Sequence, residues 1–168
     1  MALKPAEPRT RRRMGFSYDW QSGEGLSGID DPAAVDAAFE RGEEHLGAAV
    51  IGLALTCSPD VASPRIVRAM RVLDTSRREF AFTAAGIVAR THGDLTPELY
   101  AALRTEGPGG VAANAIKDTL TFVPFRKLPL WFKWRWLRAT VGDTLEGWWL
   151  RAEDVVGDAW RVVRGRRS

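Results

Sequence analysis

The chain has 168 residues, 45% of them apolar, and carries 24 Lys+Arg against 21 Asp+Glu. That length suits one compact domain whose core needs no covalent staples, and a single cysteine, Cys57, excludes an internal disulfide framework and points to a reducing compartment. One cysteine and two histidines fall short of an ordinary His/Cys zinc site, and no apolar run approaches the roughly 18 residues a membrane-crossing helix needs.

Residues 1–18 form a basic arm with Lys4, Arg9, Arg11, Arg12 and Arg13. It lacks the apolar stretch of a secretory signal and is expected to be disordered. Residues 19–43 are an acidic lead-in and first helix, where Asp19, Glu24, Asp30, Asp31, Asp36, Glu40 and Glu43 face only Arg41. Within it, Gly23-Glu24-Gly25-Leu26-Ser27-Gly28 spells the dinucleotide-binding fingerprint. No strand signal precedes it and the flanking acids would repel a pyrophosphate, so it reads as a loop. Asp31-Pro32 then places a capping side chain before a proline at the first helical position. The predicted helix runs from Ala33 to about Thr56, bent or broken at Gly42, with His45 on a polar stretch.

Residues 44–140 contain self-similar segments. Ser63-Pro64-Arg65-Ile66-Val67-Arg68-Ala69-Met70-Arg71 lies over Thr96-Pro97-Glu98-Leu99-Tyr100-Ala101-Ala102-Leu103-Arg104, 33 residues on. Each has a hydroxyl, a proline, then apolar residues at the third, fourth and seventh places. Pro129, with Trp131 and Phe132 behind it, opens a third copy 32 residues after Pro97, in which Arg135 stands where a core leucine is expected. Upstream, Ile51, Ala84 and Ile116 are equivalent, as are Leu55, Val88 and Leu120. The pattern predicts helix pairs over 44–74, 77–106 and 110–140, with Ser76-Arg77-Arg78-Glu79 as a capping box and Gly107-Pro108-Gly109-Gly110 as a separator. Alanine-rich first helices permit close approach.

The third copy interleaves cations with aromatics from Phe125 to Arg138, and residues 124–138 hold no acid. Its aromatics are expected to face inward and its cations outward. Residues 141–168 form an amphipathic helix and a basic tail, in which Leu145, Trp148, Trp149, Ala152, Val155, Val156, Ala159, Trp160 and Val163 make a helical stripe. This helix is expected to close the open end of the repeats, and Asp143-Thr144-Leu145-Glu146 to start it.

Catalytic constellations are missing from this sequence. Cys57 and His92 end equivalent first helices, but a dyad needs a third, orienting group, and Cys57 reads better as a buried structural residue. Glu43 and Glu44 are adjacent and diverge on a helix.

The three pairs resemble HEAT-type repeats, on the small and apolar positions quoted above. The resemblance implies an all-α protein, a short right-handed α-solenoid closed by the tryptophan-rich helix, that binds partners on a concave surface. The expectation is a non-enzymatic, cytoplasmic adaptor or scaffold that needs no cofactor or metal and recognises a protein partner. Its binding residues would be Arg126, Lys127, Trp131, Lys133, Trp134, Arg135, Trp136 and Arg138, since tryptophan and arginine dominate binding hot spots. An anionic membrane surface or a nucleic acid could use the same strip.

Overall fold

The computed structural model describes residues 18–139. The basic arm up to residue 17, the Asp143–Glu146 signal and the tryptophan-rich stretch lie outside the described residues. Among those described, every regular element is helical and there is no strand. The fold is all-α.

Tyr18 belongs to the folded body rather than to an arm. It packs partly buried against the core, and its hydroxyl donates to Asp30 Oδ1 at 3.4 Å. Asp19 then builds a turn by accepting from the Gln21 and Ser22 N–H groups and, at 2.7 Å, from the Ser22 hydroxyl. These bonds, the Ser22 hydroxyl first, hold its pKa below the usual carboxylate value. The glycine-rich segment is a loop ending in a short 3-10 turn, Leu26–Gly28. It delivers Leu26 and Ile29 fully buried into the core.

Helix α1 (Pro32–Arg41) is capped by Asp31, whose side chain accepts from the Ala33 and Ala34 N–H groups at 3.0 and 3.2 Å. It ends where Gly42 adopts the left-handed conformation, φ 69°, which only glycine enters without strain. The break at Gly42 is therefore complete, and α2 (Leu46–Thr56) is a separate helix. His45 is not on a helical face. It precedes α2, with Nε2 3.0 Å from the Gln21 carbonyl, and fastens the entry loop.

Helix α3 (Pro59–Val72) starts behind Ser58, one turn before the expected Ser63-Pro64 start. Pro64 lies inside the helix on its exposed side, and Ser63 is buried with its hydroxyl unpartnered. The acids of α1 are consumed here: Arg65 grips Asp36 with both Nε (3.0 Å) and Nη2, and Arg68 reaches Glu40 at 2.8 Å. Two members of the acidic block thus pair α1 with α3 along a partly solvent-exposed edge. An interior proline forfeits one backbone hydrogen bond and crowds the preceding turn, a cost of about 3 kcal/mol. Pro64→Ala should therefore stabilise the chain by about 1–2 kcal/mol once the freer unfolded state is subtracted, read as a higher urea midpoint at unchanged slope.

Helix α4 (Thr75–His92) is capped by Asp74, not by Ser76. Asp74 accepts from the Arg77 N–H at 3.0 Å and from the Ser76 hydroxyl at 2.7 Å. A carboxylate is the stronger acceptor, so it takes the position the serine was expected to fill. Helix α5 (Pro97–Glu106) does begin at its proline, although the Thr96 hydroxyl makes no capping bond. After a 3-10 turn, Gly110–Ala112, comes α6 (Ala113–Phe122), then another such turn, Phe125–Lys127. The last described helix, α7, covers residues 130–139. The Lys133 N–H bonds to the Pro129 carbonyl at 3.0 Å, which puts Pro129 at the cap, one place earlier than Pro97.

Helices α2, α4 and α6 lie side by side with α4 in the middle, and α3 packs on α5, α2 and α4. Tyr100 of α5 meets Phe132 of α7 edge-on at 5.2 Å between ring centres. Burial shows which positions correspond. In the second helices Ile66, Leu99 and Phe132 are each at most 1% exposed, so the 33-residue step continues into the third copy and the 32-residue step read from Pro129 is one residue short. The first helices each bury several residues, among them Ala49 and Leu53, Ala84 and Val88, and Ala115, Ile116 and Thr119. Leu55, expected to match Val88, is instead 52% exposed.

Candidate partner-binding surface

The eight strip residues ride on the 3-10 turn Phe125–Lys127 and on α7. A helix of 3.6 residues per turn cannot turn Trp131, Phe132, Trp134 and Trp136 all inward. Phe132 alone goes fully into the core, and Trp131 meets it edge-on at 4.7 Å. Trp134 is 68% exposed, and Leu130 and Leu137, one turn to either side, are 75% and 41% exposed. With Arg138, also exposed, they form one outward face. The expectation that the aromatics point in and the cations out is therefore corrected.

Several cations are occupied. Lys127 pairs with Asp94 at 3.0 Å, Lys133 lies 5.7 Å from the Phe125 ring centre, and Arg135 lies 5.7 Å from that of Trp131. Trp136 tilts against Phe125 at 5.1 Å. Such contacts at partly exposed rings are worth about 0.5–1 kcal/mol each. They make Lys133 and Arg135 parts of the fold before they are parts of a surface.

With Lys133 held at the Phe125 ring, the other seven strip residues divide three ways. Lys127 and Trp131, joined by Leu130, line a cleft of about 540 Å³ between α5 and α7, together with Asp94, Tyr100 and Arg104. Arg135 and Trp136 line a second groove, between α6 and α7. Arg126, Trp134 and Arg138 stand free of both, facing solvent. In the cleft, burial pushes the Tyr100 hydroxyl up to about 12, with the nearby Asp94 carboxylate adding to the shift. Its hydroxyl, 3.4 Å from Asp94 Oδ1, stays a neutral hydrogen-bond donor at physiological pH.

The strip reading missed Leu130, Leu137, Arg104 and Asp94. The first two were legible, since Leu130, Trp134 and Leu137 follow the i, i+4, i+7 spacing of one helix face. The other two lie 23 and 33 positions upstream of Lys127 and are brought in only by the packing of α5, and of the loop before it, against α7.

Elsewhere, Cys57 is partly exposed at the end of α2, its sulfur 3.6 Å from the Thr56 hydroxyl, so it is not the buried residue expected. His92 is exposed at the end of α4, and no hydrogen bond joins the two. Among the described residues no three His, Cys, Asp or Glu side chains cluster as metal ligands. No described helix is long and apolar enough to cross a membrane. Neither a family model, nor a curated protein, nor a solved structure matches the chain.

Proposed function

We propose that this chain is a non-enzymatic adaptor, a short right-handed α-solenoid of HEAT-like helix pairs that recognises a protein partner. The side-by-side packing of α2, α4 and α6, with α3 on α5 and α5 on α7, supports the repeat reading. The tryptophan-rich residues 145–163 would be its closing element. The single free cysteine suits a reducing, cytoplasmic setting.

One observation carries the binding reading: Leu130, Trp134 and Leu137 are exposed together on one face of α7, edged by Arg138. Folded proteins rarely leave a tryptophan so bare between two leucines unless something covers it, and tryptophan beside arginine is the composition of a binding hot spot. The same face, with no acid in residues 124–138, also suits an anionic membrane surface, and this is the second reading.

Full-length protein used as bait in its native host should retain one stoichiometric partner. Trp134→Ala and Arg138→Glu, both at solvent-facing positions, should each weaken retention by roughly tenfold or more at unchanged thermal stability. Co-sedimentation with anionic but not neutral vesicles, lost in the same variants, would replace the protein partner by a lipid surface. Retention unaffected by either substitution would remove this face from the reading altogether.

A further inference from the structure

We propose that the groove between α6 and α7 is the docking site of the chain's own residues 145–163, and that an acidic side chain of residues 143–158 completes Arg135 there. The inference deepens the repeat reading above and rests on it.

The groove encloses about 410 Å³ between apolar walls formed by Ile116, Leu120, Trp136 and Ala139, with Lys117 and Arg135 as its charged members. It lies at the end of the row of first helices: α6 packs on α4, and no further helix of that row follows it among the described residues. An amphipathic helix pair exposes such a face wherever stacking stops, and repeat arrays need a closing element at that point.

The occupant is identified by three observations. Ala139, the last described residue of α7, is itself a groove residue, and 29 further residues follow it in the sequence. The docking is therefore intramolecular, with an effective concentration in the millimolar range that a second copy does not match. The apolar stripe typified by Trp148, Val155 and Trp160 has the spacing of a helix. At about 1.5 Å per residue such a helix would be roughly 28 Å long, enough to cover α6 and α7 together.

Charge supplies the third. Arg135 Nε is buried without a hydrogen-bond partner, and a guanidinium N–H removed from water needs an acceptor. Residues 124–138 contain no acid, whereas Glu146 and Glu153 fall at the border of the apolar stripe on a helix of 3.6 residues per turn, within reach of a groove the stripe enters. Docking of this segment covers Trp136 and leaves the Leu130, Trp134 and Leu137 face open, so the cap and the partner surface occupy different sides of α7.

Hydrogen exchange on the full-length protein tests the proposal. Amides of residues 145–163 should exchange at least roughly tenfold more slowly than those of an unstructured chain, at a rate independent of protein concentration. Leu120→Glu in the groove wall should abolish that protection while residues 46–104 keep theirs. Should Leu120→Glu unfold the chain, Lys117→Glu, at an exposed groove position, provides the same test by repelling the acids. Arg135→Ala should lower the protection and Arg135→Lys should restore part of it. Unstructured exchange rates in the unmodified protein, protection that survives both groove substitutions, or protection lost on dilution would each overturn the docking. Weak protection of α2 to α6 in the unmodified protein would sink the repeat reading instead.

Discussion

Phe132→Ala is expected to lower stability by about 3–5 kcal/mol, the largest single effect in this fold. Phe132 is 1% exposed, meets Tyr100 edge-on at 5.2 Å and Trp131 at 4.7 Å, and is the principal side chain of α7 in the core. Truncating it deletes the ring's burial and both aromatic contacts, worth about 0.5–1.5 kcal/mol each beyond area alone. The cavity that remains adds to the loss, because α5 and α7 can close it only by moving together. Trp134→Ala, two residues along the same helix, is the internal control: its ring is 68% exposed, and surface substitutions of this kind stay within about 0.5 kcal/mol. Urea unfolding of the two variants measures the difference directly. Equal effects would mean that α7 does not seat on α5 through Phe132.

The contrast between those neighbours also shows what the sequence could and could not reveal. Ile66, Leu99 and Phe132 share a 33-residue step because burial repeats faithfully along the second helices. The prolines mark that step less well. Pro97 sits at the first position of α5, Pro129 at the cap of α7, and Pro64 inside α3. A proline on an exposed side can be tolerated away from a helix start, so its position locates a helix only loosely, whereas an inward side chain has one place to go.

First helices were harder to align for a different reason. Two residues, Cys57 and Ser58, separate α2 from α3, while Gly93–Thr96 separate α4 from α5. Loop lengths that vary between copies break any fixed step upstream of the second helix, so Leu55 is exposed where Val88 is buried. The all-helical character depended on neither step. It followed from capping residues, helix-start prolines and helical spacing, which act locally and were readable at Asp31, Gly42 and Pro97. The division of the basic strip, by contrast, depends on Tyr100 and Arg104 arriving from α5 and Asp94 from the loop before it, and no local pattern announces them.

Gly52→Ala tests the other end of the molecule, where two opposing effects have different sizes. In isolation the change favours a helix by about 1 kcal/mol, because alanine is the better helix former. In place, the added methyl carbon would lie 2.1 Å from the Leu26 carbonyl oxygen and 2.7 Å from Ile29 Cγ2. The first contact is with backbone, which cannot swing aside as a side chain can, and Leu26 and Ile29 are both fully buried. Relief requires the 3-10 turn to lift from α2, breaking the bond from the Thr56 hydroxyl to the Ile29 carbonyl, now 2.6 Å. Overpacking of this severity costs about 3 kcal/mol or more, so the clash outweighs the propensity gain and the net loss should be about 2 kcal/mol. Thermal unfolding should show it as a drop of roughly 4–8 °C for a chain of this size. Gly28→Ala, at a site with nothing within 4 Å of the added carbon, should leave the midpoint nearly unchanged. A stabilised Gly52→Ala protein would show that the entry loop does not lie on α2, and with it would fall the account of why a glycine occupies the middle of that helix.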